Sequence, residues 1–71
     1  MDLKSVGLGQ AYTVRAVETG DGELDAFLFS LGCYSGSRVT VVSRRRGSCV
    51  VAIKDGRYCM DDRLASAIKV E

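Results

Sequence analysis

The chain has 71 residues, 46% of them apolar, and a net charge of +1 from ten Lys plus Arg against nine Asp plus Glu. That length is near the lower limit for a core that folds unaided, and it excludes a dinucleotide-binding domain, a barrel enzyme or a kinase. The balanced charge gives no bulk attraction to nucleic acid or an anionic membrane. The absence of His removes the commonest general base and the commonest metal ligand.

No apolar run approaches the ~20 residues of a membrane span. Met1–Val6 lacks the basic region and apolar stretch of a signal peptide. The expectation is a soluble, cytoplasmic protein forming one domain over residues 1–71. Its cysteines, Cys33, Cys49 and Cys59, are odd in number and show no CxxC spacing, so they read as reduced, mostly buried thiols.

Leu3, Val6 and Gly9 open the chain as a loose arm. Residues 11–17 alternate and are rich in strand formers, which predicts a first strand. Gly20-Asp21-Gly22 is a loop signal, and from Glu23 the period becomes helical. Leu24, Phe27, Leu28 and Leu31 share one face, Asp21 is placed to cap, and Gly32 stops the helix. Phe29 lies off that face.

Ser35-Gly36-Ser37 is a turn, followed by strand runs at 38–44 and 48–54. A three-residue loop at 45–47 pairs Val39 with Ile53, Val41 with Val51 and Ser43 with Cys49, with Gly47 in the left-handed position. Asp55-Gly56 reads as a two-residue hairpin turn, pairing Val51 with Met60 and Ile53 with Tyr58. Cys49 and Cys59 then point to opposite faces. Asp61 to Ser66 reads as a short capped helical turn, and 67–70 as a last strand with Ile68 and Val70 inward. The order strand, helix, three-stranded meander, helical turn, strand predicts a mainly β fold: a small five-stranded SH3-like barrel with a short helix inserted after the first strand.

No catalytic constellation forms. The Asp61-Asp62 pair reads as a helix start, Ser30 and Ser35 have no His to activate them, and the Gly residues make no phosphate loop. No cofactor is expected, and the Cys spacing gives no metal site. Arg44-Arg45-Arg46 forms a compact positive patch at a hairpin tip. It reads as a solvated strand edge or a contact for an acidic surface. Phe29 and Tyr34 flank the helix stop and read as interface anchors.

The order of these motifs resembles the FeoA family, small cytosolic accessory proteins of bacterial ferrous iron uptake. The resemblance is carried by Leu3-x-x-Val6-x-x-Gly9, by Leu28-x-x-Leu31-Gly32 running through Gly36 into the strand Val39–Val42, and by Leu64-Ala65-x-x-Ile68-x-Val70. It covers essentially the whole chain. Ser35 stands where the family has Pro, and the loop at 45–47 is short and basic where the family often has a longer one containing Gly-Asp-Pro.

The resemblance implies a non-enzymatic protein that supports the FeoB-type ferrous iron transporter, a membrane protein with a cytosolic GTPase domain, from the inner face of the membrane. The expected partner-binding residues are Leu28, Phe29, Tyr34, Arg44, Arg45 and Arg46, around a groove between helix 23–31 and hairpin 38–54. Two alternatives come from other classes. One is a small nucleic-acid-binding barrel using Arg44–Arg46. The other is a metal-sensing module like the C-terminal domain of metal-dependent repressors.

Overall fold

The computed structural model describes all residues, Met1–Glu71. Five strands, β1 (Ala11–Val17), β2 (Arg38–Arg45), β3 (Ser48–Ile53), β4 (Gly56–Asp61) and β5 (Ile68–Val70), form one antiparallel sheet in the order β4-β3-β2-β1-β5. Helix α1 (Gly22–Leu31) follows β1, and α2 (Asp62–Ser66) joins β4 to β5. This is the mainly β, SH3-like arrangement expected from the sequence. The sheet wraps one core built from Leu3, Val14, Leu28, Val39, Val41, Val51, Ile53, Ile68 and Val70 among others.

The caps fall where the residue types require. Asp21 is extended, and its carboxylate accepts from the amides of Glu23 at 3.0 Å and Leu24 at 3.2 Å. Gly32 closes α1 with φ 99°, a left-handed conformation that β-carbon-bearing residues adopt only at a cost. Asp61 caps α2 by accepting from the Leu64 amide at 2.8 Å, so the adjacent carboxylates mark a helix start.

Four expectations are corrected. The arm is not loose: Leu3 and Val6 are buried in the core, the Leu3 amide donates to the Ile68 carbonyl, and the Val70 amide donates to the Met1 carbonyl at 2.8 Å. The arm thus covers the outer side of β5.

The β2–β3 connection has a two-residue turn at Arg46–Gly47, not a three-residue loop. Val39–Ile53 and Val41–Val51 pair as expected, but Ser43 faces Val50 instead of Cys49, because a bulge at Val42 absorbs the extra residue. A simple two-residue turn mixes the faces; the bulge at Val42 restores the expected pairing from Val41 back to Val39.

In the β3–β4 hairpin the turn is Lys54–Asp55, and Gly56 already pairs with Ile53. Val51 faces Tyr58 and Cys49 faces Met60, a shift of two residues from the predicted register. A shift of two preserves which face each side chain takes. Cys49 is accordingly buried and Cys59 exposed.

Phe27 is 56% exposed, although its spacing put it on the apolar face of α1. Leu28 is the sole fully buried residue of the helix, with Leu24 and Leu31 half-buried. The helix lies on the barrel along a narrow line of contact, too narrow to cover both Leu24–Leu31 and Phe27.

Candidate functional site

The C-terminal end of α1 and the loop behind it build an aromatic surface. Phe29 is 64% exposed. Its ring centroid lies 4.9 Å from that of Tyr34, the planes tilted by 39°, a favourable aromatic geometry. The ammonium of Lys54 sits 5.2 Å from the centroid of the Tyr34 ring, within cation–π range.

Each member is held from below. Gly32 turns the chain so that the Cys33 amide donates to the Leu28 carbonyl at 2.9 Å. Ser37, the one buried polar residue, donates its hydroxyl to the Tyr34 carbonyl at 2.7 Å and accepts from the Tyr34 amide at 3.1 Å. Lys54 has φ 52° in its tight turn, which swings its stem over Gly32. A side chain at position 32 would collide with that stem. The absent side chain therefore serves both the helix stop and the docking of Lys54.

The expected site residues divide into two regions. Phe29 and Tyr34 come together, with Leu28 beneath them as core at 1% exposure. Lys54 joins this patch. Its sequence signal was a Lys preceding Asp-Gly, which reads as a strand end until the turn is shifted. Arg44, Arg45 and Arg46 lie at the other end of the β2–β3 hairpin, since Ile53 pairs with Val39 while Arg45 pairs with Ser48. At ~3.3 Å per residue the two ends are about 20 Å apart.

Nor are the three arginines alike. Arg45 and Arg46 are exposed. Arg44 is turned onto the N-terminal arm, donating to the carbonyls of Lys4 at 2.8 Å, Leu3 at 3.1 Å and Val6 at 2.9 Å.

The groove expected between α1 and the β2–β3 hairpin lies elsewhere. A groove of about 340 Å³ opens between Thr19 and Leu24 on one side and the end of β4 and α2 on the other, lined also by Cys59, Met60, Arg63 and Leu64. Its residues come from two stretches of sequence, 19–24 and 59–67, far apart in the chain, so no local motif announces it.

The thiols show no metal-binding arrangement: no group of three or more Cys, Asp or Glu is placed to hold an ion. Burial pushes the Cys33 thiol up to about 11. Burial also raises Cys49, a rise opposed by the nearby Arg44 and reinforced by Asp62 and Cys59. Both are packing thiols rather than reactive ones. No helix is long and apolar enough to cross a membrane.

The five-stranded sheet with a short helix after its first strand defines the class of small SH3-like β-barrel domains, here with an exposed aromatic pair on its surface. The profile of the FeoA domain matches residues 1–71, and the chain belongs to the FeoA family, whose members are small SH3-like accessory domains of ferrous iron transport.

Solved structures agree in fold. A manganese-dependent transcriptional repressor is similar at 28% identity and TM-score 0.85, over 99% of this chain and 40% of the repressor. The chain therefore spans about two fifths of that protein's length. Stenotrophomonas maltophilia FeoA complexed with zinc is similar at 20% identity and TM-score 0.86, over 100% of this chain and 89% of that one. Iron(II) transport protein A from Clostridium thermocellum is similar at 26% identity and TM-score 0.86, over 100% and 44%. A comparison with curated proteins by sequence gave no match.

Proposed function

We propose that this chain is a non-enzymatic, cytoplasmic accessory protein of bacterial ferrous iron uptake. It acts by binding the cytosolic side of an FeoB-type transporter through the patch of Phe29, Tyr34 and Lys54. The observation that carries the reading is the exposed Phe29 ring stacked on Tyr34. A large aromatic held rigid at the surface loses little conformational entropy on binding and supplies much apolar area, the properties of an interface anchor. Leu28 supports the patch from the core. Arg45 and Arg46, about 20 Å away, form a separate edge that steers an acidic partner surface rather than a shared groove.

The test is co-purification from membranes with tagged wild type and Phe29→Ala side by side. Retention of a polytopic, GTPase-containing transporter by wild type, reduced in the variant, supports both function and site. Equal retention by both forms removes Phe29 from the interface, and no retention by either folded form removes the transporter as partner.

A second reading, a metal-responsive module of the repressor type, is favoured by the likeness to the manganese-dependent repressor. Equilibrium dialysis against manganese separates it: stoichiometric uptake supports this reading, and none argues against it.

A further inference from the structure

Strand β4 is the free edge of the sheet, pairing with β3 on one side only. The two-residue turn at Lys54–Asp55 makes Ile53–Gly56 a hydrogen-bonded pair. Alternation then gives Val51–Tyr58 and Cys49–Met60 the same character. The backbone groups of Arg57, Cys59 and Asp61 consequently point away from β3, and the three side chains are exposed as well. The groove described above lies alongside Cys59, Met60 and Asp61.

Sheet edges are commonly blunted by Pro, a bulge, an inward-pointing charge or exposed charged side chains, and β4 carries only the last of these, Arg57 and Asp61. This edge has no Pro and no bulge, and its register against β3 is regular over all six residues. Its charges have an order of their own. Arg57 and Asp61 have opposite signs and stand equally far on either side of Cys59.

Consider a second copy laid antiparallel along β4, with a twofold axis through Cys59. Cys59 then faces its counterpart, Arg57 faces Asp61 of the second copy, and Asp61 faces its Arg57. These are the residues whose N–H and C=O groups point outward, so each pair exchanges two backbone hydrogen bonds. Slipping the register by two residues either way leaves at least one charge on each copy without its opposite. One Asp61 oxygen is engaged with the Leu64 amide, which leaves the other for an arginine.

We propose that β4 is a self-association edge, forming a twofold dimer by antiparallel β4–β4 pairing centred on Cys59. The occupant is a second copy of this chain because the charge pattern is complementary to itself. The contact is isologous and closes at two copies, which avoids an open fibre.

The test is sedimentation of wild type and Arg57→Glu from micromolar to near-millimolar concentration, with amide exchange at Cys59. Arg57 is exposed, so the variant keeps its fold, and an unchanged melting temperature confirms it. The wild type is expected to dimerise with protection of the Cys59 amide. Arg57→Glu turns two attractive cross-strand pairs repulsive and raises the dissociation constant at least about tenfold.

Diamide, which takes up the two electrons and two protons released when two thiols join, is expected to link wild type through Cys59 faster than Arg57→Glu. A wild type that stays monomeric across the range overturns the proposal. So does a dimer whose affinity Arg57→Glu leaves unchanged, such as one seated on Phe27 and Phe29.

Discussion

The Arg44 guanidinium donates to the Leu3 carbonyl oxygen at 3.1 Å, joining the second strand to the first residues of the chain. The same group bonds the carbonyls of Lys4 and Val6, so one side chain gathers three backbone acceptors of a segment with no regular structure. The arm matters to the barrel because Leu3 is wholly buried and lies among the core residues.

Arg44→Ala is therefore expected to release the arm. Hydrogen bonds to a charged donor contribute about 1.5–3 kcal/mol each when buried. Partial exposure and adjustment of the arm lower the sum, giving an expected loss of about 2–3 kcal/mol by denaturant unfolding. Arg45→Ala, at an exposed site, is expected to change stability by less than about 0.5 kcal/mol. Equal effects of the two substitutions contradict the assignment.

Leu28 and Phe29 are neighbours with opposite roles in stability. Leu28→Ala empties a core position and is expected to cost about 2–5 kcal/mol. Phe29→Ala removes only the stacking on Tyr34, about 0.5–1.5 kcal/mol. Thermal unfolding of the two variants reads the difference directly.

Gly32→Ala is expected to cost about 1–2 kcal/mol, from the left-handed backbone and from displacement of Lys54. The backbone part persists in Lys54→Ala, whereas the collision does not. In a double-mutant cycle the combined variant should therefore lose less than the two single losses added together. Strict additivity contradicts the packing of Lys54 over Gly32.

The thiols give a pH dependence of known sign. The folded Cys33 thiol titrates at about 11 against 9.0 for an unperturbed one. Between those values the unfolded chain gives up its proton while the folded chain keeps it, so stability is whole below 9.0 and falls as pH rises towards about 11. Two pH units correspond to roughly 3 kcal/mol at most. Unfolding measured across this interval should slope less steeply in Cys33→Ala than in wild type. Under native conditions a thiol reagent is expected to modify Cys59 promptly and Cys33 and Cys49 only on unfolding.

The elements were legible in the sequence because their signals are local. Alternation marked β1, Asp21 and Gly32 bracketed α1, and Asp61 capped α2. Register was only half legible. Face assignment survived because apolar alternation fixes it, but the bulge at Val42 and the turn at Lys54–Asp55 depend on how both strands twist around the core.

The aromatic half of the site was legible because Phe29 falls off the helical stripe. Lys54 was hidden by the shifted turn, and the engagement of Arg44 by the arm, which carries no periodicity. The groove beside β4 joins two distant segments, 19–24 and 59–67, and had no sequence signature. Phe27 misled because helical spacing says which residues align, and not how wide a face the barrel covers.

The most direct test of the account is a binding titration of the purified chain against the cytosolic domain of an FeoB-type transporter, with melting temperatures taken on the same samples. The prediction is saturable binding that Phe29→Ala weakens at least about tenfold, as loss of an anchor aromatic does, while its melting temperature stays close to wild type. Undiminished binding by Phe29→Ala, or no binding by folded wild type, would contradict the account.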